Sequence, residues 1–247
     1  MIKGRDRVRA IADQLNAIGL ARMAMALEDA YSDPDFLTKD RLDLIGSIVA
    51  SEYDERASRR LSSRLKRAKL LGCPASISDC ESSADREYVP AGVVEQLSSL
   101  TFAEDGLNVL ILGASASGKT YLAKAIGVAA CNSFGVEYRH CDSLLYELAD
   151  LKRRNVPKYE KRLRHLTKID ILIIDDFLIT PTADDTESSI IFQILERRSE
   201  ARKSTVMCSQ RNPDGWAGML SGDEVVANAI VKRATRHYTV LISKKTA

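Results

Sequence analysis

The chain has 247 residues, 45% of them hydrophobic, and a formal net charge of +2, which suits one large domain or a main domain with a smaller appendage. That near-neutral balance names no partner, and five cysteines without CxxC spacing (Cys73, Cys80, Cys131, Cys141, Cys208) argue against a disulfide framework or a zinc cluster. The start, MIKGRDRVRA, leads into no apolar signal core, and no apolar run reaches about 18 residues. We therefore expect no membrane span and a cytoplasmic protein with reduced thiols.

Taken in chain order, Val8, Ile11, Leu15 and Ile18 recur at helical spacing, Gly19 marks a break, and Met23, Leu27 and Tyr31 resume the stripe until SDPD stops it. A second helix is expected from near Thr38, with Leu42, Ile45 and Val49 on one face. It continues through Ala57, Leu61, Leu65 and Ala68 until Gly72 and Pro74 end it. Residues 76–106 then hold seven acids and one base, which reads as a connecting segment. From Leu107 onward, apolar runs at 107–112, 136–140, 169–174, 205–208 and 238–242 alternate with helical patterns. That alternation predicts a parallel sheet with crossover helices. The expected domains are 1–75, helical; 76–106, connecting; and 107–247, built on the parallel sheet.

The segment NVLILGASASGKTYLAKAI carries a complete GxxxxGK[ST] pattern: Gly113, Ala114, Ser115, Ala116, Ser117, Gly118, Lys119 and Thr120. Glycines let the backbone approach phosphates, the loop N–H groups and the helix start form an anion cradle, and the lysine reaches the β- and γ-phosphates. Thr120 would place a hydroxyl on Mg²⁺, and ATP is the expected ligand. A chance glycine-rich turn is disfavoured because a strand pattern precedes the loop and a helix pattern comes after it.

IDILIIDDFLI ends a second apolar run on Asp175 and Asp176, a Walker B arrangement. Asp175 would hold Mg²⁺ through water, and Asp176 would orient and polarise the attacking water. Aspartate at the second position shortens the reach by one methylene and makes slow hydrolysis plausible. The acid after the metal-binding aspartate points to an AAA+ machine. In such domains a polar residue on the next strand meets the attacking water or the γ-phosphate. Gln210 is the favoured residue, with Ser209 as the alternative. From the residues alone, Arg233 in ANAIVKRATRHYTVLI reads as a solvated helical arginine.

These segments, together with IGLARMAMALEDA, ASRRLSSRLKRAKL, STVMCSQRNPDGW and NAIVKR, resemble the IstB-like transposition-helper ATPases of insertion sequences. Those proteins are relatives of DnaC-type helicase loaders and DnaA initiators. The resemblance covers nearly the whole chain. It implies an ATP-dependent protein that assembles with its own copies on duplex DNA and stimulates a partner transposase. It also implies that Arg233 is an arginine finger acting on a neighbour's site and Gln210 the first sensor. The loop lacks the family's common Pro-Pro, Lys232 stands where an Asp is usual before the finger, and the chain reaches Ala247 without a C-terminal helical lid. The expected fold is therefore an α/β AAA+ P-loop NTPase with a parallel sheet and no lid, behind a small all-helical domain.

Two basic segments are candidates for DNA. One comprises Arg56, Arg59, Arg60, Arg64, Lys66, Arg67 and Lys69; the other is LKRRNVPKYEKRLRHLTK, led by Lys152, Arg153, Arg154 and Lys158 and continuing to Lys161, Arg162, Arg164 and Lys168. Each would neutralise phosphates in a salt-dependent, largely sequence-independent way, or each is a solvated helix face. Tyr159 is the only aromatic in either, which favours duplex backbone over base stacking. His140, His165 and His237 have no metal-ligand spacing and read as structural or surface residues. The rival functions are a helicase loader, a small-molecule P-loop kinase and a nucleotide-gated binding module with negligible turnover.

Overall fold

The computed structural model describes residues 2–235 and 237–244, and the chain divides into two compact units, Met1–Ser63 and Arg64–Ala247. In the first unit, α1 (Ile2–Ala17) packs on α2 (Ala21–Ser32) across a turn in which Gly19 takes a φ of 80°. Helix α3 (Arg41–Ala68) begins in this unit and ends in the second. Its Glu52 is buried and accepts hydrogen bonds from the Arg22 and Met23 N–H groups at 3.1 and 3.4 Å. A carboxylate is favourable there because the first N–H groups of α2 have no partner in their own helix. Leu42, Ile45, Val49 and Tyr53 remain exposed, since α3 meets α2 along its Ile48–Glu52 side.

The second unit runs α4 (Ile77–Glu81), β1 (Arg86–Val89), α5 (Val93–Ser98), α6 (Thr101–Glu104), β2 (Asn108–Gly113), α7 (Lys119–Ala130), β3 (Val136–His140) and α8 (Cys141–Arg154). It continues α9 (Val156–Lys168), β4 (Ile171–Asp175), α10 (Asp185–Glu200), β5 (Ser204–Ser209), α11 (Glu224–Ala234) and β6 (His237–Lys244). The sheet order is β1-β6-β2-β5-β4-β3. Strands β2 to β6 are parallel, as the alternating pattern predicts, and β1 joins β6 antiparallel with Arg86 opposite Lys244. β4 and β5 are buried at every position, as strands covered by helices on both faces must be.

Two expected boundaries are corrected. Residues 76–106 are not merely a connecting segment: they supply three short helices and the edge strand β1. The units divide at 63/64 rather than at 75, because Ala68, Leu70 and Ala75 are buried and the chain after Ser63 packs into the second unit.

Local signals start the helices. Asp184 accepts from the Thr186 and Glu187 N–H groups, and Glu187 reaches back to the Ala183 N–H at 2.7 Å, a reciprocal cap on α10. Asn155 caps α9 by accepting from the Lys158 N–H at 3.0 Å, with Pro157 in the first turn.

Arg198 on α10 is fully buried. It donates to the carbonyls of Leu166, Ile169, Asp170 and Ser204 and to Thr205 Oγ1, tying the end of α9 to the starts of β4 and β5. Burial lowers its pKa, and five acceptors compensate its desolvation. Arg198→Met should lower unfolding stability by about 3 kcal/mol, because several buried carbonyls lose their donor. Urea melts monitored by circular dichroism measure this; a loss below about 1 kcal/mol would mean that water substitutes for the guanidinium.

A second buried network joins β3 to α8 and α9. Arg162 donates to both Glu137 and Glu147, at 3.0 Å from its Nη1 to Glu137 and 2.7 Å from its Nε to Glu147. Arg139 also pairs with Glu147, and His165 Nε2 lies 3.1 Å from Glu137. Burial alone would raise the Glu137 carboxyl, but Arg162, His165 and Arg139 outweigh it and hold it below the ordinary range.

Candidate functional site

The site lies at the carboxyl end of the parallel strands, where open α/β sheets bind ligands. β2 delivers the loop Gly113–Thr120 and α7 begins directly at Lys119. Gly118 sits at the helix start with φ 107°, a conformation that L side chains rarely adopt. Ala116 also has a positive φ, 59°, so the loop holds a non-glycine residue in the left-handed region at some cost in strain.

One cavity of about 610 Å³ is lined by Ser115, Ala116, Gly118, Lys119 and Thr120 from the loop, with Asp176 and Gln210 from the ends of β4 and β5. Cys73, Pro74, Ala75, Tyr121 and Lys124 complete its wall; none of these five was singled out for this role from the sequence. Helix α4 is fastened to α7, since Tyr121 donates its hydroxyl to Asp79 at 2.7 Å. Lys119 is only 6% exposed and its ammonium donates to the carbonyls of Gly113 and Ala114 at 2.8 and 2.7 Å. Burial pulls its pKa down, against the raising influence of Cys208, Asp176 and Asp175.

Asp175 closes β4 almost completely buried. Its Oδ2 accepts from the Tyr138 hydroxyl at 2.6 Å and its Oδ1 from the Asp176 N–H at 3.1 Å. Burial, then the hydrogen bond to Asp175, raises the Tyr138 phenol far above its ordinary pKa, so it stays a donor. Asp176 takes φ 57°, which turns its half-exposed carboxylate toward the cavity. His140, at the end of β3, stands 3.5 Å from Asp176 through Nδ1, and His140, Asp175 and Asp176 offer ligand atoms within 4.8 Å of one another. His140, which the sequence reads as a structural or surface residue, is exposed, and parallel pairing sets it opposite Asp175, a contact that linear spacing does not reveal. His165 is an exposed residue at the rim of the Glu137 network described above, and the side chain of His237 lies outside the described residues.

Of the two sensor candidates, Gln210 faces the cavity. Ser209 is buried, its hydroxyl donating to the Phe177 carbonyl at 2.8 Å and accepting from the Arg211 N–H at 3.1 Å. Arg233 is not among the residues lining this cavity. It is held in its own chain by Glu196, donates to the Ala229 carbonyl at 3.1 Å and lies 5.1 Å over the Phe192 ring. A separate groove of about 700 Å³ is lined by Glu196, Ser199, Glu200, Lys232 and Arg233.

The basic segments are less uniform than their sequence suggests. Arg56 and Arg59 pair with Glu52 and Glu55 at 2.8 and 2.6 Å. Arg64 donates to the Cys131 and Asn132 carbonyls at the end of α7, a favourable place for a cation. Arg60, Lys66, Arg67 and Lys69 are at least partly exposed. In the second segment Arg153 and Arg154 share Asp150, Lys152 leans on the Tyr159 ring, and Lys158 is exposed. Arg162 is an internal network member, a correction to its reading as part of a DNA-facing run.

Comparison with known proteins places this geometry in context. The family model described as IstB-like ATP binding protein matches residues 13–246. A protein of insertion sequence IS232 from Bacillus thuringiensis subsp. berliner, named as a candidate ATP-binding protein, is 30% identical over 96% of this chain and 92% of its own length. The corresponding protein of insertion sequence IS21 from Pseudomonas aeruginosa is 33% identical over 78% of this chain and 71% of its own. Among solved structures, the DnaI structure matches with a TM-score of 0.56 at 22% identity, over 69% of this chain and 92% of that one. The replication initiator DnaA bound to AMPPCP and single-stranded DNA matches with a TM-score of 0.56 at 18% identity, over 70% of this chain and 51% of that one, so the chain spans about half of the initiator. At these identities the likeness is one of fold: an AAA+ α/β core.

Proposed function

Because this chain belongs to the IstB-like ATP-binding protein family, we propose that it hydrolyses ATP and uses the nucleotide to assemble with its own copies on duplex DNA and stimulate a partner transposase. The observation that supports this reading most is the single cavity gathering Lys119, Thr120, Asp176 and Gln210 from three strand ends. A phosphate-bearing ligand uses all four.

In this reading the loop N–H groups and Lys119 take the β- and γ-phosphates. The donor set suits a divalent cation: Thr120 and Asp175 offer hard oxygens, and these two would hold Mg²⁺. When bound, the ion neutralises charge that builds on the phosphates. Asp176 accepts a proton from the water that attacks the γ-phosphorus, and ADP leaves as the bond to its β-phosphate oxygen breaks. Gln210 donates to the γ-phosphate or to that water. Arg233, from another copy, completes the charge stabilisation. Arg60, Lys66, Arg67, Lys69 and Lys158 are the favoured DNA contacts. Among the described residues no helix is long and apolar enough to cross a membrane. The insertion-sequence relatives favour the helper role over a helicase loader.

Electron microscopy of the protein with duplex DNA, with and without a non-hydrolysable ATP analogue, tests the reading. Rings or filaments that need both ligands are the expected result. A monomer under every condition removes the assembly role.

A further inference from the structure

Only one basic residue lies between positions 76 and 106, and the fold carries it to the phosphate loop. Arg86 opens the edge strand β1, whose antiparallel register sets it opposite Lys244 at the carboxyl end of β6. That is the end of the sheet from which Gly113 launches the loop. A Cβ built on Gly118 would lie 3.0 Å from Cζ and Nη1 of Arg86 and 3.1 Å from its Nε. The guanidinium thus rests against the bare backbone of Gly118, at the start of α7, beside the cavity rather than among its lining residues, in a neighbouring groove with Cys80, Glu87 and Tyr88.

Its hydrogen bonding is incomplete. Among the described residues Arg86 Nε and Ser117 Oγ, which flank Gly118, are buried without a partner, and the guanidinium also faces the Tyr88 hydroxyl on its own strand. Ser117 is 3% exposed, so water is not freely available to it. A buried donor without an acceptor is costly, and such groups call for a specific explanation. Both are explained by one anion at the loop: Arg86 and Ser117 supply donors next to the N–H groups of a helix start. A guanidinium is the cation best matched to phosphate oxygens, which it engages through paired N–H groups.

We propose that Arg86 is a phosphate-binding residue of the nucleotide site, delivered from the edge strand. The proposal rests on the nucleotide reading of the cavity and deepens it. Lys119 approaches the phosphates from within the loop, and Arg86 from a segment more than 30 residues earlier. The site then discriminates by phosphate content, gaining affinity for nucleotides through a second cation. β1 also becomes part of the binding site rather than a mere sheet edge.

Titration of a fluorescent ADP analogue into wild type, Arg86→Met, Arg86→Lys and Lys119→Ala tests this. Arg86→Met keeps the aliphatic stem and should weaken binding by about tenfold or more, the worth of one charge-assisted contact. Arg86→Lys, which keeps the charge but loses the planar fork, should fall between it and wild type. The melting temperature of Arg86→Met without nucleotide should equal or exceed that of wild type, while its nucleotide-induced rise shrinks; a purely structural arginine would give the opposite pattern. Arg86→Met affinity within about threefold of wild type, in a series where Lys119→Ala has lost binding, overturns the assignment and leaves the nucleotide reading standing. If wild type itself fails to bind the analogue, it is the nucleotide reading that fails.

Discussion

Lys119→Ala loses nucleotide binding, with affinity for ATP falling at least about 100-fold, the scale of one or two charge-assisted hydrogen bonds to phosphate. The expectation rests on the enclosure of the ammonium. Lys119 is almost fully buried and its neighbours include Asp175 and Asp176, while Lys124, the other lysine of this wall, has its ammonium over the Tyr138 ring. Its present acceptors are two loop carbonyls, which a phosphate would outcompete because an anion bonds an ammonium more strongly than a neutral carbonyl does. Fluorescence titration reads the loss. Undiminished affinity would mean that the loop is not a phosphate cradle.

Arg233→Ala leaves ATP binding by dilute monomer intact and removes assembly-dependent turnover, by a factor on the order of 10³ or more, as for arginines supplied to a phosphoryl-transfer site from outside. Within its own chain the guanidinium belongs to Glu196 and the Ala229 carbonyl and covers Phe192. It is about 29% exposed, open enough to exchange that partner for a neighbour's phosphate. Steady-state hydrolysis measured across protein concentration decides the matter. Equal loss in monomer and assembly would place Arg233 in the site of its own chain.

The legible parts of the sequence are those whose meaning is local. GASASGKT between a strand and a helix, and two aspartates at the end of ILII, need only their immediate neighbours to be read. The parallel sheet is visible in five apolar runs. β1 escapes notice because it is four residues long, half exposed and set in an acid-rich stretch; its pairing with β6 is more than 150 residues away in sequence. The wall formed by Cys73, Pro74 and Ala75 carries no signal except a helix stop. Charge runs are the least readable, because a run does not say whether a carboxylate waits on another element. Arg162 meets Glu137 and Glu147, and Arg64 meets carbonyls. A usable clue exists: Glu137 and Arg139 alternate with Val136 and Tyr138 in β3, and charged residues at buried strand positions need partners.

That network of Glu137, Arg139, Glu147 and Arg162 bears on how the sequence can drift over generations. Deleting Glu137, the most buried member, leaves Arg162 and Arg139 without their inner partner, a larger penalty than losing the whole set to apolar replacements. The four positions are therefore best exchanged as a block, since a stepwise route to an apolar arrangement passes through variants that fold poorly.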